Sequence, residues 1–502
     1  MASPEPRTHR RLLRLLAPLA AGGLLVAACG SPPSSGGGEG RESASDGESD
    51  LATCPLEALD EADGVVEVDL WYGGLGGSSA GIMEQLAESF NASQDKVKIN
   101  ANNQGNSYEE VLRKYQGAAS TPAQLPGIIY LEDTALGEMV DRGQVLPAQA
   151  CMEADDYDLT QIAAQARGAG SVDGVFYPGY MNVSTPMIYY NKIHFEQAGL
   201  DPNDPPETLE EVREAAEVIK EKGISSEPLS FINNRWFVET WLAGIGQDMV
   251  NNNNGREAPA TEATFATDEA VDLLTFLQQM ETDGLLAPFA RTEGSINHYL
   301  ALLPQGDKAP QSSMLIETST ASSTIRDFLG GELSAEDAGD QFSAVDIDLD
   351  KIQIVPGGGA LPGIEAAGKV FASGGNFFML NTGTDAEQAA AWEFMKYMLQ
   401  PENAFLWHTQ GGYLPVVKEV LETDEVEEYW ATDVAGVMQS KAIEQLYDAD
   451  PDSPGPLVGP YQGFSDAVDD AIDNVLLDGQ DPEAQLSEAQ ETVTGLLEDY
   501  NN

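Results

Sequence analysis

His9, His194, His298 and His408 are the chain's only imidazoles, and their scatter bounds its metal chemistry. No His-x-x-x-His or Cys-x-x-Cys spacing places soft ligands together on one helix face or turn, so a zinc site is poorly supported. No metal and no cofactor is expected. Carboxylates are abundant, with 83 Asp and Glu against 25 Lys and Arg. Two carboxyl groups roughly 5–10 Å apart would suffice for glycoside hydrolysis, which leaves a glycoside hydrolase as one open reading. Abundance alone argues little for it, because most acids on so acidic a chain are solvated. No Gly-x-Ser-x-Gly elbow or histidine-centred constellation accompanies them. No catalytic residue is assigned, and the chain is read as a non-enzyme. Gly73-Gly74-Leu75-Gly76-Gly77-Ser78 lacks the dinucleotide fingerprint and the Gly-Lys-Ser/Thr of a phosphate loop. N–H groups at a helix start there could still meet a ligand, and a plain strand-to-helix turn fits equally well.

The formal net charge is −58. A surface of that sign repels phosphate backbones and anionic headgroups, so nucleic acid is excluded as a partner. The hydrophobic fraction of 42 % is ordinary, which puts the acidity on the outside of a folded body.

Arg7, Arg10, Arg11 and Arg14 lead into an apolar run from Leu12 to Ala28. A basic start, a short apolar stretch and small residues at its end describe a secretory signal peptide, assigned to 1–28. About 17 apolar residues are too few to span a bilayer comfortably. Val26-Ala27-Ala28-Cys29 resembles a bacterial lipobox, in which Cys29 receives lipid and becomes the mature N-terminus. The body is then extracytoplasmic and anchored to the cell membrane. Residues 30–50 are rich in Gly and Ser, a flexible tether within a linking segment, 29–60. Cys54 and Cys151 remain, in an oxidising compartment where an even pair is expected to form a disulfide. Closing a loop of about 100 residues is worth roughly 4–5 kcal/mol on the chain-entropy account.

The elements that must position any site alternate between strand and helix. Val65-Val66-Glu67-Val68-Asp69-Leu70-Trp71 alternates in polarity and predicts a strand. Ile82, Leu86, Ala87 and Phe90 share one helical face after the glycine loop. Strands are predicted at 97–99, 127–131 and 187–190. Capping boxes at Thr208/Glu211 and Thr384/Glu387 open helices, the first stopping at Gly223 and the second running through Trp392 to Pro401. Another helix is expected from Thr267-Asp268 to Gly284. Such alternation indicates α/β domains with largely parallel sheets. Roughly 450 folded residues suggest two domains or more.

Several stretches together resemble the extracellular solute-binding proteins of ABC importers, in the carbohydrate-binding group that includes the maltose- and glycerol-3-phosphate-binding proteins. The stretches are Ser89-Phe90-Asn91, Asn106-Ser107-Tyr108-Glu109-Glu110, Ser184-Thr185-Pro186-Met187-Ile188-Tyr189-Tyr190-Asn191-Lys192 and Ala198-Gly199-Leu200-Asp201-Pro202. Ser373-Gly374-Gly375-Asn376-Phe377-Phe378, Pro401-Glu402-Asn403-Ala404 and Gly411-Gly412-Tyr413-Leu414-Pro415 continue the series. The resemblance implies an α/β fold of two lobes joined by a hinge, with the ligand held in the cleft between them. Lobe I is expected at 61–180 with a return at 358–408, and lobe II at 181–357 with a return at 409–502. It also implies capture of a small carbohydrate or polyol by hinge closure and delivery to importer membrane subunits, by a monomer.

The same resemblance implies cleft residues. It matches Tyr108, Glu132, Ser184, hydroxyls at Thr318 and Ser319, backbone at Gly375, and Tyr413 to hydroxyl-binding positions of the glycerol-phosphate branch. That branch holds phosphate with an arginine late in the chain, where this sequence reads Leu457-Val458-Gly459. Trp236 falls where the family often supplies a stacking ring, and core packing is its other reading; for Trp241 and Trp392 core packing is favoured. Arg235 is the one cation beside that ring. A neutral, hydroxyl-rich ligand is expected, with a glycerol-phosphate or glycerophosphodiester ligand as the alternative.

Overall fold

The computed structural model describes residues 52–75, 78–291, 296–304, 308–330 and 353–502. Cys29 and the leader and tether assigned before it and after it lie outside the described residues, apart from the last few positions before Cys54.

Thirteen strands are used below: β1 (Val66–Tyr72), β2 (Val97–Asn103), β3 (Ile128–Glu132), β4 (Val145–Leu146), β5 (Ser171–Val172), β6 (Val175–Phe176), β7 (Tyr180–Ser184), β8 (Pro186–Asn191), β9 (Leu229–Asn233), β10 (Leu286–Ala290), β11 (Met314–Thr318), β12 (Pro356–Ala360) and β13 (Ser373–Leu380). A six-stranded sheet has the order β2-β1-β3-β13-β4, with β7 also pairing β13, alongside β4 on the edge away from β3. A five-stranded sheet has the order β10-β9-β11-β8-β12. The alternation read at β1 is realised: Val68, Leu70 and Tyr72 are buried, while Glu67 and Asp69 face solvent.

The expectation of largely parallel sheets is corrected. β2, β1 and β3 run parallel, as do β10, β9 and β11. β13 is antiparallel to β3, β4 and β7, and β8 is antiparallel to β11 and β12. Parallel neighbours need a long crossover connection, which helices supply within each sheet. Strands that bring the chain over from the other sheet have no such crossover and enter against the grain.

The chain passes between sheets at Thr185, between β7 and β8, and again between β12 and β13. It passes a third time after the helix Pro401–Gly411, which packs on the helix Ser78–Ser93, because the later helix Val434–Asp448 packs on β12. Hydrogen bonds fasten the first passage. Thr185 N–H donates to Ser319 Oγ at 3.2 Å, Ser319 N–H donates to Thr185 O at 2.8 Å, and Gln445 Nε2 donates to Thr185 Oγ1 at 2.6 Å.

Helix ends follow the predicted chemistry with two adjustments. Thr384 and Glu387 make the full reciprocal box ahead of the helix Asp385–Met398. Thr208 Oγ1 accepts from Glu211 N–H, but the Glu211 carboxylate reaches back to Glu207 N–H. The helix expected to continue to Pro401 ends at Met398, and Pro401 instead opens the next one, where a missing N–H costs nothing. Cys54 and Cys151 are disulfide-bonded, both buried, and tie the segment before β1 to the short helix Ala148–Ala154.

Candidate functional site

Two strand ends meet across the gap between the sheets. Glu132 closes β3 in the first sheet; Arg235, two residues past β9, opens the helix Arg235–Gly244 in the second. Both lie outside the carboxyl ends of parallel strands, where open α/β sheets bind ligands. Asn234 caps that helix by accepting from Trp236 N–H at 2.9 Å, which fixes Arg235 and Trp236 together at its first turn. Arg235 Nη2 donates to Glu132 Oε2 at 3.3 Å, and Thr134 Oγ1 donates to the same oxygen at 3.0 Å.

Arg235 is 2 % exposed. Its guanidinium lies over the Tyr461 ring at 5.0 Å and 3.7 Å from Glu239, and its backbone N–H donates to Asp469 at 2.6 Å. Burial works against its charge, but Tyr461, Glu132, Glu239 and Asp469 outweigh burial and hold the pKa above its ordinary value. Burial pushes the Glu239 carboxyl up to about 7 against the pull of Arg235, and Tyr461 OH donates to both of its oxygens at 3.1 Å. Burial, reinforced by neighbouring Glu132, likewise pushes Asp133 up to about 7. A second arginine repeats the theme: Arg291, just past β10, pairs with Glu109 of the first lobe at 3.0 Å and with Asp469 at 3.3 Å.

On the first-sheet side the polar surface is phenolic. Tyr108 and Tyr130 share a hydrogen bond of 2.8 Å, Asn182 Nδ2 donates to Tyr130 OH at 2.8 Å, and Tyr413 interacts with both phenols. Burial raises the pKa of all three, so they remain neutral donors and acceptors. Two glycines make the packing possible. A Cβ on Gly375 would collide with the Tyr130 hydroxyl, and Gly74, at φ +72°, lets the loop after β1 lie against Tyr108.

Tyr108, Glu132 and Trp236 thus border one site, with Tyr413 joined to it through the phenols and Gly375 beneath Tyr130. Trp236 is half-buried against Phe237, and its indole N–H is buried without a partner among the described residues. Ser184 is buried at the end of β7, paired in register with Ser373, which itself donates to Asp133 at 3.2 Å. Thr318 Oγ1 accepts a long bond of 3.5 Å from Thr320 Oγ1 while its carbonyl accepts from Tyr189 OH, and Ser319 Oγ accepts from Thr185 N–H where the chain crosses. Trp241 and Trp392 are core residues, each with its indole N–H satisfied, by Pro362 O and by Asp155.

Sequence reasoning missed Tyr130, Asp133, Glu109, Arg291, Tyr461 and Asp469. One signal was present for the last two. Tyr461, Ser465, Asp469 and Asp473 recur at four-residue spacing, a polar strip beside the buried apolar face of the helix Tyr461–Leu476, and Asp469 and Asp473 bond Arg235 and Asn233 at the end of β9. The cavities among these groups measure about 20 Å³, bordered by Tyr108, Glu132, Arg235 and Gly459, and about 10 Å³, bordered by Glu132 and Trp236. Each has room for about one water. The site is shut by its own ion pairs. No group of acidic, histidine or cysteine side chains suited to a metal occurs among the described residues.

Comparison with known proteins places this geometry. The family model described as bacterial extracellular solute-binding protein matches residues 85–434. The sn-glycerol-3-phosphate-binding periplasmic protein UgpB of Escherichia coli K12 is 23 % identical over 448 residues, covering 88 % of this chain and 95 % of the relative. Among solved structures, UgpB from Mycobacterium tuberculosis in complex with glycerophosphocholine aligns with a TM-score of 0.68 at 17 % identity, covering 87 % of this chain and 99 % of that one. The cyclic alpha-maltosyl-1,6-maltose binding protein from Arthrobacter globiformis aligns at 0.65 and 21 % identity, covering 87 % and 100 %. The fold is therefore the two-domain α/β architecture of these binding proteins. The chain belongs to the bacterial extracellular solute-binding proteins.

Proposed function

We propose that the chain captures a neutral, hydroxyl-rich solute, a saccharide, polyol or glycerol derivative without a phosphomonoester, in the cleft between Glu132 and Trp236. It releases that solute unchanged to importer membrane subunits and works as a monomer anchored by lipid on Cys29. The carrying observation is the charge balance at the site. Arg235 and Arg291 already face Glu109, Glu132, Glu239 and Asp469, and Arg256, which borders the same cavity, donates to the carbonyls of Gly455, Ala169 and Ser171, so among the described residues a dianion would have to compete for each cation. A diol, in contrast, can donate to Glu132 and exchange bonds with Tyr108 and Tyr413. The unpartnered Trp236 N–H supplies a further donor, and its ring offers the face that sugar C–H groups stack upon.

A second reading, a glycerophosphodiester, is favoured by one observation: Arg235 stands in the cavity that also includes Gly459, beside the stretch where the expected phosphate-holding arginine is missing. Calorimetry on the purified body distinguishes them. Neutral sugars or polyols are expected to bind, glycerol-3-phosphate is not, and Trp236→Ala is expected to weaken binding by about 1–3 kcal/mol. Tight binding of a glycerophosphate that is lost in Arg235→Gln, at unchanged melting temperature, would establish the second reading.

A further inference from the structure

A cavity of about 370 Å³ lies beside the phenolic cluster and differs from it in chemistry. Its walls come from both sides of the cleft. Gly74, Ser79 and Tyr413 form one side; Leu300, Leu303 and Ile325 belong to the other. Leu300 and Leu303 are buried, and the lining is mainly aliphatic and aromatic. No Lys or Arg among the described residues borders it, and the charge of Asp327 is already paired with Arg326 at 2.8 Å. Ser79 Oγ is committed to Gly411 O and Ser312 Oγ to Glu227 O. Ser323 Oγ is different: the residue is 3 % exposed, borders the cavity, and its hydroxyl has no partner among the described residues. A buried hydroxyl left unpaired is costly, so it is a place where a ligand hydroxyl gains a bond the protein does not make.

We propose that this cavity is a subsite for an uncharged apolar group carrying one hydroxyl, of the size of a substituted aromatic ring. The whole solute would then be an amphiphile, such as an aryl glycoside. Tyr413 is the junction, since it borders the cavity and also lies against Tyr108 and Tyr130 of the cluster. A dry cavity of about 150 Å³ with aliphatic and aromatic walls suffices for benzene, so this one has space for more. The proposal rests on the cleft reading above for the hydroxyl-rich half of the solute, but not for the apolar half.

Benzyl alcohol and toluene, titrated into the purified body by ligand-observed NMR, test the subsite without any sugar. Saturable binding of both is expected, abolished by Leu303→Trp, which fills the cavity. Ser323→Ala is expected to weaken benzyl alcohol about fivefold and leave toluene unchanged. No saturable binding, or an equal response of the two probes to Ser323→Ala, overturns the proposal even if Leu303→Trp fails to fold. A benzyl glycoside should also bind roughly ten- to a hundredfold more tightly than the matching methyl glycoside. Equal affinity for the pair refutes the subsite alone. Binding of benzyl alcohol with neither glycoside bound refutes the sugar reading and supports the subsite.

Discussion

Arg235 is a cation removed from water, and every group around it is there on that condition. An unpaired guanidinium at 2 % exposure would carry a heavy desolvation cost, which Glu132, Asp469 and the Tyr461 ring offset, while Glu239, itself buried, is held by Tyr461 with its carboxyl favouring the protonated form. The arrangement makes stability depend on pH. Glu239 has a folded-state pKa of about 7 against an ordinary 4.5, so its protonated form is the one the fold prefers. That contribution is fully present below about pH 4.5 and is lost as pH rises through about 7. Glu239→Gln, which can still accept from Tyr461, should therefore raise the melting temperature at pH 8 and change it little at pH 5. Equal shifts at the two pH values in differential scanning calorimetry would contradict the assignment. Little of this was legible in the sequence. The partners Arg235 and Glu132 are 103 residues apart, and no local pattern couples them. Tyr130 reads as one more apolar residue in a buried strand, because a phenol's role at a strand end depends on which face the neighbouring lobe covers.

Elements were far more readable, because their signals are local. Val66 to Tyr72 alternates, Thr267 and Thr384 cap the helices they precede, and Gly223, at φ +68°, ends the helix begun after Thr208. Strand direction was not readable, since period-2 alternation is the same in either sense; β13 shows this, antiparallel to all three of its neighbours. The disulfide belongs to this scale. It joins Cys54 and Cys151, 97 positions apart, just ahead of the helix Glu57–Glu61, which itself packs on the helix Asp385–Met398. Cys54→Ser with Cys151→Ser should lower unfolding free energy by about 4–5 kcal/mol on the chain-entropy account. Urea titration would show this as a lower midpoint. A midpoint within error of the parent protein would mean that the unfolded chain is not restrained as supposed.

Across the whole molecule, two ion pairs, Arg235–Glu132 and Arg291–Glu109, span the cleft. Closed and open populations are set by differences of a few kcal/mol, so pairs of this size matter. Arg291→Gln removes a partly exposed pair worth about 1 kcal/mol, equivalent to a roughly fivefold lower closed-to-open ratio. Small-angle scattering of the ligand-free protein should then report a larger radius of gyration than the parent, and the difference should shrink in high salt. An unchanged profile would place the closing force elsewhere. The repeated crossing of the chain between sheets has a consequence for how the molecule is made. The first sheet lacks β13 until residue 380 has been synthesised. The second lobe lacks the helices Tyr461–Leu476 and Pro482–Asn501, which pack on each other and on Asp268–Thr282, until translation is nearly finished. Neither lobe can complete its core while the N-terminus is still emerging. A nascent chain of this design can complete neither core until late in its synthesis, so its solute site forms last.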